Sequence, residues 1–393
     1  MSAVARALVA AVAVALLAAP SAFGSSNLTR RLVELQRAGV PVPLVARPVA
    51  RRALTVEDPA LADTYQAGIA WEWQWDAVRM GEVPESVLRA AAGVKIAVID
   101  SGADLGAPDL ADKHPRTWSV LSRSSGVPDQ LGHGTFVSSL AAGSVDNGVG
   151  VSGFGGDAQL LVVKAIDNDG YVTDVDEAAA IVYAVRHGAK IINLSIGGPE
   201  TSQVERRALL WAARQDVLVV AAAGNDHDQG NLPDYPAALL QPLGSHGRGG
   251  IGLAVGATSM DGTRAYFSNT GSYLSLAAPG FNVFAAESAD SDWPRAQLPW
   301  ASPGYYGWAS GTSFASPEVA GAAALAWAAN PRLTASQVAK VLKESASGSA
   351  WSPELGWGRL DAAAAVQLAL ETKGDALRGA RYEPRPIHSS PPS

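Results

Sequence analysis

Ser313 stands where a nucleophile could be placed, at the opening of an apolar, small-residue stretch. It follows Gly311-Thr312 and begins SFASPEVAGAAALAWAAN. A serine at a helix N-terminus lies in a positive field beside unpaired N–H groups, which favours nucleophilic chemistry there. Serine and threonine are also frequent helix caps, and Pro317 is tolerated near a helix start, so capping remains an alternative for this motif alone.

Three other side chains supply what a serine nucleophile requires. Asp100 ends the apolar run KIAVID, His133 lies between two glycines in LGHGTF, and Asn225 ends VVAAAGN. We predict that Asp100 orients the imidazole of His133, which takes the proton from the serine. The side-chain amide of Asn225, with the Ser313 N–H, would hold the oxyanion. Each residue alone has a structural alternative, as a cap, a turn former or an ordinary hydrogen-bonding group.

These side chains need a scaffold that brings strand ends and helix starts to one edge. Short β-branched runs alternate with Ala-rich amphipathic segments, which predicts an α/β fold with a mostly parallel sheet covered on both faces. Such sheets bind ligands at the carboxyl ends of their strands. The predicted strands are 94–100, 159–167, 190–196, 217–225 and 251–259, and the predicted helices include 176–188 and 204–215.

Composition narrows the class of protein. The chain has 393 residues, a net charge of −7 and 48% hydrophobic residues, with no cysteine. The negative charge argues against nucleic acid or an anionic membrane as a partner. The lack of cysteine excludes disulfides, zinc thiolate sites and a cysteine nucleophile.

Both ends of the chain differ from its middle. Residues 1–24 carry an apolar run, which predicts a secretory signal peptide, with an uncleaved anchor as the alternative. Residues 25–56 form a short Arg- and Pro-rich leader, whose dibasic Arg51-Arg52 predicts a mature start near Ala53. The polar, Pro-rich tail 371–393 is predicted to be disordered. We therefore expect a catalytic domain at 57–370 in a secreted or periplasmic monomer without a stable membrane span.

Six motifs, in this order, resemble those of the subtilisin-like serine proteases: AVIDSG, GHGTFVSSLAAG, INLSIGG, VVAAAGN, GTSFASPEVAG and GWGRLDAAAAV. The chain order Asp, His, Ser is also that of subtilisin. An α/β-hydrolase is rejected because Ala315 occupies the last glycine of its Gly-x-Ser-x-Gly motif. The resemblance implies a three-layer α/β/α fold with a mainly parallel, about seven-stranded sheet. It also implies a secreted endopeptidase that cleaves protein or peptide substrates through the four residues above, with no cofactor required for the chemistry.

The resemblance further implies a substrate groove. Its segment Ser195-Ile196-Gly197-Gly198 would line that groove and pair with the peptide backbone. Asp234, just before Tyr-Pro, would lie at the base of the S1 pocket and favour arginine or lysine at P1. Alternatively, Asp234 turns outward, binds as a neutral acid, or is neutralised by Arg248.

A structural calcium site is also implied, with a glycine-rich turn capped by Asp109 as the alternative. Its ligands would be side-chain oxygens of Asp109 and Asn147 and the carbonyl oxygens of Val145, Val149 and Val151.

Two positions depart from the family pattern. Phe136 stands where the family usually has a second histidine, and Glu318 where it usually has a histidine after the proline. We interpret both as packing variants, although Glu318 could disturb the electrostatics near Ser313. A catalytically silent relative and a peptide-bond-forming relative remain alternative functions.

Overall fold

The structure is a computed structural model, and it describes residues 56–66, 69–293, 296, 298 and 305–372. The predicted signal peptide, most of the predicted leader, the dibasic Arg51-Arg52 and the tail from residue 373 onward lie outside the described residues. Within the described residues, no helix is long and apolar enough to cross a membrane.

A parallel sheet of seven strands forms the centre of the fold, and two short antiparallel pairs lie outside it. The strands are β1 (Thr64–Gln66), β2 (Ile69–Ala70), β3 (Lys95–Asp100), β4 (Arg116–Ser119), β5 (Gln159–Lys164), β6 (Ile191–Leu194), β7 (Leu218–Ala222), β8 (Gly252–Thr258), β9 (Leu276–Pro279), β10 (Val283–Ala286) and β11 (Tyr306–Ala309). The central order is β4-β5-β3-β6-β7-β8-β9, while β1 pairs with β2 and β10 with β11. This confirms the predicted seven-stranded parallel sheet.

Helices flank the sheet. They are α1 (Pro59–Ala62), α2 (Trp73–Ala77), α3 (Glu85–Ala90), α4 (Pro108–Ala111), α5 (His133–Ala142), α6 (Asp174–Arg186), α7 (Gln203–Arg214), α8 (Ala237–Leu240), α9 (Thr312–Ala329), α10 (Ala335–Ser345) and α11 (Ala362–Glu371). Short 3₁₀ turns occur at Met80–Glu82, Ala91–Gly93 and His227–Gln229.

Side chains along each buried strand point alternately to the two faces of the sheet, so the core has one layer on each face. Ile96 and Val98 of β3 face a core shared with α5, α9, α10 and α11. Ala97 and Ile99 face the opposite core, shared with α6, α7 and α8. Successive strand side chains point to opposite faces, so a continuous apolar run is required when both faces are covered. The result is the predicted three-layer α/β/α arrangement.

The helix α9 needs small side chains because it is buried along most of its length. Its Gly321 packs against the backbone of Phe154 and Gly155, where an added Cβ would lie 2.5 Å from Phe154 C. From residue 311 to residue 327, Ser313 is the one position that is not fully buried. The fold therefore leaves the serine partly exposed while it buries the neighbouring residues of the helix up to Trp327.

The five predicted strands and both predicted helices form close to their expected positions. The strands β4 and β9 were not among the specific predictions. The strand β4, with sequence RTWS, is a polar edge strand of four residues, and β9, LAAP, is equally short and ends in proline. Neither has a hydrophobic run long enough to indicate a strand on its own.

Candidate active site

The imidazole of His133 lies against the carboxylate of Asp100. Asp100 is the last residue of β3 and is fully buried. Its Oδ1 lies 2.7 Å from His133 Nδ1 and accepts a second hydrogen bond from Ser101 N at 2.7 Å. An ionised carboxylate only accepts hydrogen bonds, so Nδ1 carries the proton in this pair. In the neutral imidazole, Nε2 is therefore the basic nitrogen.

The surroundings of His133 favour its charged form. Burial alone lowers the pKa of His133, but the charge of Asp100, its hydrogen bond and the charge of Asp129 outweigh burial and raise the pKa. The side chain remains 23% exposed, so a substrate can reach it. His133 begins α5 directly after Gly132, whose φ of 80° favours glycine.

Ser313 and His133 line the same cleft, which has a volume of about 470 Å³. The Oγ of Ser313 donates to the carbonyl of Ser195 at 3.4 Å, and no hydrogen bond between described residues joins it to His133. Hydrogen bonds of this kind are often long or misaligned before a substrate binds.

Asn225 lies on the rim of the cleft with its amide group oriented. Its Oδ1 accepts hydrogen bonds from Thr312 N at 2.8 Å and Thr312 Oγ1 at 3.1 Å. Because both Thr312 donors require an acceptor, the atom that faces them is the amide oxygen. The Nδ2 donor of Asn225 therefore lies on the side away from Thr312. The N–H of Ser313 belongs to the first turn of α9, where amides have no partner within the helix. Two donors are thus available beside the serine.

The predicted groove segment lies only partly in the cleft. Ser195, Ile196 and Gly197 line it. Gly198 is not among the lining residues, and its N–H and C=O pair with Tyr235 at 3.0 and 2.9 Å. These two bonds close the loop before the cis Tyr235-Pro236 peptide bond, and the pairing of Gly198 with a substrate backbone stays a prediction.

Asp234 faces the cleft and does not turn outward. It is 6% exposed, and an added Cβ on Gly197 or Gly224 would overlap or crowd its carboxylate oxygens. Its Oδ1 has no hydrogen-bond partner among the described residues. Burial, with a smaller contribution from the charge of Asp226, raises the pKa of Asp234 to about 8.

Arg248 does not neutralise this carboxylate. Its guanidinium lies 5.5 Å from the ring centroid of Trp357, and no ion pair in the described part of the chain includes Asp234. The alternative of neutralisation by Arg248 is therefore not realised. Asp234 is therefore an acid in the cleft lining without a cationic partner among the described residues.

Four of the predicted calcium residues lie in one loop, 145–151, and Asp109 of α4 contacts that loop. The carbonyls of Val145, Val149 and Val151 accept no hydrogen bond from any described residue. Asp109 is fully buried, and its oxygens accept from Val151 N at 3.0 Å and Tyr306 OH at 2.8 Å. The Oδ1 of Asn147 accepts from Val149 N at 3.2 Å.

The backbone carbonyls in this set of oxygen atoms make it suitable for calcium. Each carboxylate oxygen has a second lone pair, so one hydrogen bond does not exhaust Asp109. No group of three or more acidic or histidine side chains in the described chain could hold a metal ion. Any ion in the loop would therefore depend on the three free carbonyls, which suit calcium rather than a transition metal.

The two departures from the family pattern lie in the core. Phe136 is fully buried and packs against Phe314, with ring centroids 4.7 Å apart. Glu318 is also fully buried, and neither carboxylate oxygen has a hydrogen-bond partner among the described residues. Burial raises the pKa of Glu318 well above its usual range, which favours the neutral acid. A neutral Glu318 exerts little field on Ser313, in agreement with a packing role.

Asn193 and Ser316 position the site but were not found from the sequence, and Ser195 has a contact there beyond its predicted groove role. Ser195 Oγ donates to the Ser313 carbonyl at 2.6 Å and accepts from Asn193 Nδ2 at 3.0 Å, which ties β6 to the start of α9. Ser316 Oγ adds a bond to Asn193 Oδ1 at 2.6 Å. The one available signal was their position beside the predicted nucleophile and groove motifs.

The comparisons agree with this geometry. The model of the subtilase family (Peptidase S8) matches residues 91–358. The chain belongs to the subtilase family. It is 33% identical to thermitase of Thermoactinomyces vulgaris over 282 residues, which cover 70% of this chain and 89% of thermitase. It is 34% identical to subtilisin DY of Bacillus licheniformis over 278 residues, which cover 70% of this chain and 92% of that protein.

A solved structure extends the match to three dimensions. A protease from Pseudoalteromonas arctica shares 27% sequence identity and a TM-score of 0.63 with this subtilase, and it covers 80% of this chain and 100% of its own. This subtilase is a subtilisin-like serine protease, a hydrolase that acts on peptide substrates.

Proposed function

We propose that this subtilase is a secreted endopeptidase that uses Ser313 as nucleophile, His133 as general base and Asp100 as the residue that orients the base. The observation that carries the proposal is the 2.7 Å contact between the buried Asp100 and His133, on the cleft that Ser313 also lines. Retention of these three groups in one cleft argues against a catalytically silent relative.

Catalysis begins with proton transfer from Ser313 Oγ to Nε2 of His133 as Oγ attacks the carbonyl carbon of the scissile bond. The negative charge of Asp100 stabilises the imidazolium that forms. The imidazolium then protonates the leaving amine as the C–N bond breaks, which leaves an acyl group on Ser313. Water repeats the sequence and releases the acid.

The oxyanion of each tetrahedral intermediate would accept from Asn225 Nδ2 and the N–H of Ser313. Thr312 fixes the Asn225 amide through two bonds to Oδ1, so this donor is oriented before the charge develops. Preorganised donors of this kind stabilise the transition state more than the ground state.

We propose a preference for arginine or lysine at P1. The carboxylate of Asp234 lies beside Gly197 and Gly224, and its Oδ1 has no hydrogen-bond partner among the described residues. A cationic P1 side chain would pair with the ionised carboxylate, while a large apolar one would leave it without a partner or require the neutral acid.

The loop that contains Val145, Val149 and Val151 would hold a structural calcium ion with Asp109 and Asn147. Such an ion would fix the loop and supply no chemistry to the reaction. The secretory signal at 1–24, maturation near Ala53, the catalytic bounds 57–370 and a monomeric state belong to the same proposal.

Labelling with a serine-directed phosphonate, followed by digestion of a denatured protein, tests the proposed function. We expect one phosphonate adduct, on Ser313, and loss of cleavage in the Ser313→Ala variant with an unchanged melting temperature. Cleavage by Ser313→Ala at the wild-type rate would refute the mechanism. N-terminal sequencing of the secreted protein tests the leader, because a start at residue 25 would show that it is retained.

A further inference from the structure

Asp129 is a second buried carboxylate beside the Asp100–His133 pair. It is 1% exposed and lies in the loop between β4 and α5. Its Oδ1 accepts from Gly132 N at 3.0 Å and from Ser101 Oγ at 2.8 Å. Its Oδ2 accepts from the N and Oγ1 of Thr135, at 2.8 and 2.5 Å. All four hydrogen bonds of the carboxylate therefore come from residues beside His133 or from Ser101, the residue after Asp100.

The start of α5 needs this carboxylate because its own N-cap residue has no side chain. Gly132 occupies the N-cap position with φ 80° and makes no side-chain cap. The first-turn amides of a helix lack partners within the helix and require an outside acceptor when buried. Asp129 supplies it for Thr135 N, and Ser101 Oγ supplies it for Gly134 N at 2.9 Å.

The same bonds connect the helix start to the catalytic acid. Ser101 directly follows Asp100, and its N–H donates to the Asp100 oxygen that also binds His133 Nδ1. Asp129 thus closes a ring that runs through Ser101, Asp100 and His133 and returns through the backbone of α5. Because Asp129 contacts neither ring nitrogen of His133, its effect is exerted through the groups it holds.

We propose that Asp129 is a positioning residue, which fixes the imidazole of His133 relative to Asp100 through Ser101 and the first turn of α5. This inference rests on the proposed function of the triad. It adds a second buried carboxylate to the catalytic apparatus without placing it in contact with the substrate.

The charges that face this arrangement are few. Asp100 and Asp129 carry negative charge, and Lys164 donates to the Ser101 carbonyl at 2.5 Å from the neighbouring strand β5. Burial lowers the pKa of Lys164, against the opposing effects of Asp129, Asp100 and Asp167. The remaining ring contacts of the imidazole are to the uncharged aromatic side chains of Trp293 and Phe314. Loss of the Asp129 charge should therefore act on His133 in one direction, by disfavouring its protonated form.

Three variants separate the effect of Asp129 on the position of His133 from the effect of its charge. Asp129→Asn removes the charge and two of the acceptor sites. Ser101→Ala removes the hydroxyl that links Asp129 to the residue after Asp100, without a change of charge. It tests the same link if Asp129→Asn does not fold. Asp104→Asn is the matched control, because its carboxylate is nearby but, among the described residues, accepts from Gly106 N and Ala289 N and not from the groups that Asp129 holds.

For Asp129→Asn we expect kcat to fall by about 10- to 100-fold, the effect of a small displacement of a catalytic group. The acidic limb of the kcat/KM profile should also move to lower pH. Ser101→Ala should lower kcat by a smaller factor and leave the limb in place, and Asp104→Asn should change neither. NMR titration of His133 in the Ser313→Ala background measures the same pKa change without any need for activity.

The proposal is overturned if Asp129→Asn keeps kcat within about twofold of wild type and titrates His133 at the pH seen for Asp104→Asn. An unchanged kcat in Ser101→Ala would overturn the link through Ser101. Failure of the proposed function would appear differently, as absence of turnover in the wild type, and the NMR comparison would still decide the role of Asp129.

Discussion

The ionisation of Asp234 makes substrate preference depend on pH in a way that can be calculated. Burial, aided by the charge of Asp226, raises the pKa of Asp234 to about 8. The ionised fraction in the free enzyme then rises from about one in eleven at pH 7 to about ten in eleven at pH 9, by the ordinary titration curve. A P1 arginine remains charged over this range and binds the ionised form. Its kcat/KM should therefore rise about tenfold from this effect.

A ratio of two substrates isolates this effect from the titration of His133. Both an arginine and a phenylalanine substrate require neutral His133, so its contribution cancels when their kcat/KM values are divided. Phenylalanine requires the neutral acid at the pocket base, so its own kcat/KM should not gain from ionisation of Asp234. We expect the Arg/Phe ratio to increase at least about tenfold between pH 7 and pH 9.

Two variants complete the test. Asp234→Asn is uncharged at every pH, so its Arg/Phe ratio should be low and independent of pH. Asp226→Asn removes a neighbouring charge that raises the pKa of Asp234, so the midpoint of the ratio should move to lower pH. A wild-type ratio that stays constant between pH 7 and pH 9, and equals that of Asp234→Asn, would refute the reasoning.

Three further predictions concern the oxyanion donor, the loop and the core. Asn225→Ala should lower kcat much more than it changes KM, by about 10²–10³, the loss measured for the corresponding type of donor in the relative subtilisin; a pure KM effect in steady-state kinetics would contradict it. EDTA should lower the melting temperature, and added calcium should restore it, because the free carbonyls of Val145, Val149 and Val151 would lose their cation; an unchanged melting temperature would argue for a turn held by hydrogen bonds alone. Burial raises the folded-state pKa of Glu318 above its unfolded value near 4.5, so the folded state binds more protons and wild-type stability should fall as pH rises above that value. The variant Glu318→Gln should lack this loss, and parallel melting curves for both proteins from pH 5 to pH 8 would disprove it.

Short sequence motifs were enough to predict the strands of the sheet and to select the candidate catalytic residues. The continuous apolar runs predicted the buried parallel strands because both faces of each strand are covered. The order of Asp100, His133 and Ser313, with glycines on either side of the histidine and before the serine, predicted one catalytic site. The structure places these residues at the carboxyl edge of the sheet and at two helix starts, as that fold class requires.

Contacts between distant segments were decided only by the tertiary structure. Asp129 caps a helix that begins after Gly132, although an aspartate in a loop has many possible partners before the chain folds. The pairing of both Gly198 backbone groups with Tyr235, far along the chain, was also not visible in the sequence. The inward direction of Asp234 likewise depends on a turn that brings it against Gly197 and Gly224. Residue types and spacing specify which groups exist and which local conformations they favour, but hydrogen-bond partners and burial arise from packing between segments remote in sequence, and local patterns do not encode that packing.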